Sequence, residues 1–314
     1  MRDRSCKICL RGLASGEIDY HASCCQQLFG SATPPQLPYT WEQLNALAEQ
    51  VIRQRVTVPG VQAKLSLHLE RARPAGAGRL TLVGLDGAYI LKPPVQEYPQ
   101  MPELEHLTLC MARSFGIDTA DCGLIPLEGG QLSYITRRMD RVGELKLHME
   151  DLCQLTDRLT EQKYRGSMEQ VGRAILRYCS NPLFEAVRLF DLTLFCFLTG
   201  NADMHLKNFS LLYAPGGEVR MAPAYDLLPT ALLLPADREE MALTLNGKRR
   251  KLRLADFQCF GSALKMTDRQ VENSFGRIKK ALKAGLLQVE QSHCSSENKA
   301  RYRELILERA LRLV

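Results

Sequence analysis

Asp203, Asn208 and Asp226 carry the oxygen chemistry of a phosphoryl-transfer site, in chain order. Moving a γ-phosphoryl group needs a carboxylate to receive the acceptor hydroxyl's proton, and oxygen ligands to hold Mg²⁺ against the nucleotide phosphates. Asp203 precedes Asn208 by five residues, the interval between Asp and Asn in the catalytic loop H-R-D-x-x-x-x-N, and Asp226 follows. Asp and Asn also turn loops without any catalytic role. Here His205 and Lys207 lie between the two, in Asn201-Ala-Asp203-Met-His205-Leu-Lys207-Asn208, which is more than a turn requires. His205 is expected to orient the loop. Lys207 either stabilises the transferring phosphate or is simply solvated.

These residues must be positioned by the elements around them. Asn208 to Tyr213, the turn Ala214-Pro-Gly-Gly217 and Val219 to Ala222 predict a hairpin that returns Asp226 towards Asn208. From Leu145 onward the spacing is helical: one helix opening at His148, others over Met168 to Cys179 and Leu183 to Leu198, and two or three more between Thr267 and Leu311. Ahead of them, Leu65 to Leu69, Leu80 to Val83, Ala88 to Lys92 and Ser133 to Arg141 predict strands, with a helix beginning at Glu105 and running to Ser114. Residues 1–54 form a third zone, with a Pro-rich joint at Thr33 to Pro38 and a helix capped by Thr40 with Gln43. The organisation expected is α+β: a cap (1–54), a β-rich nucleotide-binding lobe (55–141) and an all-α lobe (142–314) carrying the catalytic and metal loops.

The run Leu198-Thr-Gly200-Asn201-Ala-Asp203-Met-His205-Leu-Lys207-Asn208-Phe-Ser210, with Ala222-Pro-Ala-Tyr225-Asp226 behind it, resembles the HipA family of bacterial serine/threonine kinase toxins. Gly60-Val-Gln62-Ala-Lys64-Leu, Tyr89-Ile-Leu-Lys92-Pro-Pro94, Leu104-Glu105-His, Arg138-Met-Asp140-Arg141 and His148-Met-Glu150-Asp151 agree, in the family's order. The length is most similar to the compact HipT form. The resemblance implies a two-lobed protein-kinase-like fold and ATP with Mg²⁺ as cofactors. It implies Asp203 as base, Asn208 and Asp226 as metal ligands, and Lys92 on the phosphates, held by Glu105. Gly60, Gln62 and Lys64 become the phosphate-covering loop. Arg137 and Met139 stand where the family usually has Glu and Phe, leaving backbone contacts to the adenine and the Met139 thioether over its face. Thr57 occupies the position of a serine whose autophosphorylation is associated with inactivation, and a second family serine is replaced by Pro59, which has no hydroxyl. The implied partners are a protein substrate such as an aminoacyl-tRNA synthetase, an antitoxin, and DNA only through that antitoxin. A small-molecule or lipid kinase, or a catalytically silent binding module, are the alternatives.

The rest of the chain bounds this reading. At 314 residues and 45% hydrophobic content it can bury one large core or two lobes. No apolar run reaches ~18 residues; Leu189 to Gly200 is too short and carries Asp191, and the first residues lack a signal-peptide core, so no membrane contact and a cytoplasmic location are expected. The net charge of +6 suits a weak attraction to nucleic acid or an acidic partner. Its densest cluster, Lys248 to Arg253, reads as a basic hairpin turn, either solvated or in contact with nucleic acid. Eleven cysteines suggest reduced thiols rather than disulfides. One group differs: Cys6-x-x-Cys9 and His21-x-x-Cys24 have the types and spacing of a zinc knuckle, with a plain packed cap as the alternative.

Overall fold

A computed structural model of the chain describes residues 5–54, 63–70, 77–84, 87–143 and 145–313. Thr57, Gly60 and Gln62, with Pro59, lie outside the described residues. The chain divides into two compact units, one comprising residues 1–110, 120–138 and 290–294, the other residues 111–119, 139–289 and 295–314.

The first unit opens with helices α1 (Ala22–Phe29) and α2 (Trp41–Gln54). Thr40 caps α2 as expected: its hydroxyl accepts from Gln43 N (3.3 Å) while Gln43 Oε1 accepts from Thr40 N (2.9 Å). Strands β1 (Leu65–Glu70), β2 (Arg79–Leu82), β3 (Tyr89–Lys92), β4 (Cys122–Pro126) and β5 (Leu132–Arg137) form a five-stranded antiparallel sheet in the order β2-β1-β3-β5-β4. Alternation assigns the faces. Leu65, Leu67, Tyr89, Leu91 and Ile135 pack in one buried cluster with Cys24, Cys25, Leu28 and Phe29 of α1, so the cap and the sheet share a core. Lys92 and its cross-strand partner Tyr134 belong to the other parity.

Helix α3 (Met101–Ser114) starts one turn before Glu105, where the sequence reading began it. Pro102 falls in its first turn, where a missing N–H interrupts no helical bond.

The second unit is mainly helical and also carries two small sheets. A ribbon joins β6 (Arg141–Val142) to β7 (Leu145–Lys146). The expected hairpin is present as β9 (Ser210–Tyr213) and β10 (Val219–Met221), paired Tyr213 to Val219 and Leu211 to Met221. Its third strand is β8 (His148–Asp151), where a helix was expected. His148 to Asp151 pair antiparallel with Tyr213 to Ser210, and the helix starts only afterwards as α4 (Leu152–Leu155), capped by Asp151 through a box with Gln154. The ladder offered by β9 overrides the local helical spacing.

Around these lie α5 (Met168–Tyr178), α6 (Pro182–Thr199), α7 (Thr230–Leu233), α8 (Leu254–Ala263), α9 (Asp268–Gln291, entering the first unit at its last two residues) and α10 (Ser296–Leu311). The apolar helix α6 is buried along most of its length. Arg309 of α10 is itself buried, donating to Phe197 O (2.6 Å) with its guanidinium over the Phe197 ring (5.2 Å). No helix among the described residues is long and apolar enough to cross a membrane. The basic turn forms around Asn246 and Gly247, both at positive φ, with Leu245 and Lys248 exchanging backbone hydrogen bonds. Lys248 pairs with Asp256 (2.7 Å) and Arg249 with Glu239 (3.3 Å), so part of its charge serves the fold.

Candidate active site

In the second unit the candidate loop begins where α6 ends. Gly200 closes that helix in the left-handed region (φ 74°), and its carbonyl accepts from Ala231 N (3.0 Å) and the Thr230 hydroxyl (3.3 Å). The Thr230 hydroxyl in turn accepts from Ala202 N (2.9 Å), tying the loop's first residues to α7. Asn201 is buried and accepts from Asp203 N (3.1 Å). Asn208 donates its side-chain amide to Asp203 O (3.0 Å), closing the five-residue interval on itself. That bond commits the amide nitrogen, so the oxygen is the end that could hold a cation.

Two aromatic residues complete the loop. The Tyr164 hydroxyl donates to Asp203 Oδ1 at 2.7 Å, and its ring meets His205 edge-on with centroids 5.1 Å apart. Burial, reinforced by the Asp203 carboxylate, raises the Tyr164 phenol above its ordinary range, so it remains a donor. His205 is buried, and desolvation lowers it to about 4, so its ring is neutral near pH 7. Tyr225 acts as a strut: its hydroxyl donates to Lys207 O (2.9 Å) and shares a hydrogen bond with the Ser210 hydroxyl (2.6 Å). With Ala222 N bonded to Ser210 O (2.9 Å), it docks the Ala222 to Asp226 segment on the loop. Asp226 sits at φ 56°, a conformation Asp tolerates better than most side chains. Lys207 pairs with Asp151 (2.6 Å), the cap of α4.

In the first unit, Lys92 and Glu105 form a buried ion pair at 2.6 Å, only 4% and 1% exposed. The pairing of Lys92 with Tyr134 puts the ammonium 5.3 Å from that ring's centroid, on the face where α3 supplies Glu105. A buried ammonium needs such partners to offset its desolvation. Lys64 is exposed just before β1. Arg137 pairs with Asp121 (2.8 Å) and donates to Gln27 O (3.2 Å), a link from β5 to α1. Met139 is half-buried. Tyr164 and Asp151 escaped the sequence reading as site residues. Neither lies near the loop in sequence, although Asp151 stood in a quoted family segment.

Residues 56–286 match the family described as HipA-like C-terminal domain, almost three quarters of the chain. The chain belongs to the HipA-like C-terminal domain family. A Haemophilus influenzae protein named "Putative kinase" is 29% identical over 206 residues, covering 62% of this chain and 58% of that one. The serine/threonine-protein kinase toxin HipA of Shewanella oneidensis is 28% identical over 195 residues, 55% of this chain and 43% of its own. The matched region thus spans about half the length of these curated relatives. Among solved structures, the Shewanella oneidensis HipA, HipB and operator DNA complex aligns with a TM-score of 0.67 at 21% identity, over 84% of this chain and 70% of that one. This HipA-like chain therefore has the α+β, kinase-like fold of that protein.

Proposed function

We propose that this chain is an ATP- and Mg²⁺-dependent serine/threonine protein kinase acting as the toxin of a toxin-antitoxin system. The observation that carries the reading is the Asp203 carboxylate, held by the Tyr164 hydroxyl on a loop that Asn208 closes, with Tyr225 docking the Asp226 segment on the same loop. Tyr164 binds one carboxylate oxygen, which leaves the other to receive the proton of an acceptor Ser or Thr hydroxyl. Asn208 and Asp226 offer hard oxygen donors, the type Mg²⁺ takes, and would hold it. When bound, Mg²⁺ supplies charge neutralisation on the nucleotide phosphates. Lys92 donates to phosphate oxygens while Glu105 holds its ammonium in place. Lys207, exchanging its Asp151 partner for a phosphate oxygen, is the candidate for the transferring group.

Lys64, with Gly60 and Gln62, is assigned to the phosphate-covering loop, Arg137 and Met139 to the adenine end, and Thr57 to autophosphorylation, all on family resemblance. The same resemblance names an aminoacyl-tRNA synthetase as substrate. The HipB and operator DNA found with the Shewanella protein suggest a protein antitoxin as partner here. Incubating parent and Asp203→Asn protein with γ-labelled Mg-ATP and a bacterial lysate tests the reading: a labelled protein band with the parent alone supports it, and label in lipid or metabolite instead redirects it to those acceptors.

A further inference from the structure

The Cys/His group sits in the first unit and plays no part in the chemistry above. Its donor atoms, one each from Cys6, Cys9, His21 and Cys24, all lie within 4.8 Å of one another. His21 Nδ1 is 3.4 Å from Cys9 Sγ and 3.7 Å from Cys24 Sγ. A tetrahedral zinc ion with bonds of roughly 2.0–2.3 Å sets its nitrogen and sulfur ligands ~3.5 Å apart and its sulfurs ~3.8 Å apart. The nitrogen–sulfur separations therefore already stand near those zinc requires, and no pair of donors is more than 4.8 Å apart.

The backbone around them is shaped for an ion. Cys6 O accepts from Leu10 N (2.9 Å), Leu10 takes a positive φ (62°), and Cys6 N donates to Arg11 O (2.9 Å), so the Cys-x-x-Cys segment curls into a knuckle. The N–H groups of Ile8 (3.5 Å) and His21 (3.4 Å) both point at Cys6 Sγ, an arrangement suited to a thiolate. His21 Nε2 contacts Gly12 O (3.1 Å); donating there, it fixes the tautomer and leaves the Nδ1 lone pair facing the sulfurs. Arg11 Nε reaches Cys9 Sγ (3.5 Å) and so offsets the net negative charge of three thiolates and one histidine around Zn²⁺.

The two residues between the first cysteines reach outward. Lys7 O accepts from Leu124 N (2.8 Å) on the edge strand β4, and Tyr20 donates its hydroxyl to Leu124 O (2.8 Å). Ile8 O is met by His106 Nε2 (3.0 Å) and the Cys110 thiol (3.4 Å), both on α3, the helix that carries Glu105. We propose that Cys6, Cys9, His21 and Cys24 bind one structural Zn²⁺, and that the ion fastens the knuckle over the sheet edge and against α3. The three thiols enter as thiolates and release their protons to solvent.

Metal analysis of the full chain, purified without chelator, tests this independently of any kinase activity. About one zinc per chain is expected, falling below roughly a tenth in Cys9→Ser/Cys24→Ser and unchanged in Cys259→Ser, whose thiol is exposed and outside the group. Should the double variant fail to fold, release from the parent decides: a thiol-modifying mercurial frees one equivalent of zinc to a chromogenic chelator, with a fall in melting temperature. Cobalt in place of zinc gives thiolate charge-transfer and tetrahedral bands. Folded protein with no zinc and no cobalt uptake, a disulfide within the group, or full zinc retention in the double variant overturns the proposal.

Discussion

Tyr164 touches the candidate base without sharing its chemistry, so its loss separates positioning from proton transfer. Tyr164→Phe keeps the ring against His205 and removes only the hydroxyl that holds Asp203. We expect kcat to fall ~10-fold with KM for ATP unchanged and the melting temperature within a degree or two; an equal loss in KM would assign Tyr164 to nucleotide binding. Asp226→Asn keeps a side chain that accepts the positive φ and removes the carboxylate, so the fold should persist while the Mg²⁺ concentration for half-maximal activity rises at least ~10-fold. His205 makes a pH prediction. Its folded ring resists protonation to about 4, against an ordinary value of 6.5, so between those values the unfolded chain binds more protons. Stability from this group is present above pH 6.5 and lost as pH falls towards 4, by ~1–2 kcal/mol at pH 5. Urea midpoints at pH 7 and pH 5 should differ less for His205→Gln than for the parent.

At the scale of elements, each unit has one joint that holds candidate residues. Gly200 ends α6 at positive φ, and a Cβ there would lie 2.6 Å from the flexible end of Leu305. Gly200→Ala should cost ~1–2 kcal/mol, mostly backbone strain, read as a lower urea midpoint. The Lys92–Glu105 pair joins β3 to α3. Removing Glu105 alone leaves a buried ammonium and should cost ~3–5 kcal/mol, whereas Lys92→Met with Glu105→Leu should recover most of that stability without activity. A double variant no more stable than Glu105→Leu alone would mean that packing, and not charge, sets the cost. Element types were readable where the signal is local: the Pro-Gly-Gly turn announces the β9–β10 hairpin, and Thr40 with Gln43 announces α2. Strand β8 was not, because its reason for being extended is the free edge of β9, about sixty residues later. The start of α3 lies one turn before Glu105, because Pro102 fits the first turn of a helix, where its missing N–H breaks no helical bond.

Over the whole molecule, legibility followed sequence distance. The Asp203 to Asn208 interval is visible because the loop closes on itself within five residues. Tyr164 meets Asp203 from 39 residues away, and Asp151 meets Lys207 from 56, contacts that only the folded chain creates. The sharing of one core by cap and sheet was equally hidden, since it rests on α1 packing beneath strands far along the chain. The Cys/His spacing was legible, but the bonds that tie its knuckle to β4 and α3 were not. The most direct test of the central claim is transfer of labelled γ-phosphate from Mg-ATP to protein Ser or Thr by the parent, Asp203→Asn and Asn208→Asp chains at equal folded concentration. Label with the parent and a loss of at least ~100-fold in both variants is the result predicted. Equal label from all three, or none from a folded, Mg-ATP-supplied parent with its antitoxin removed, would contradict it.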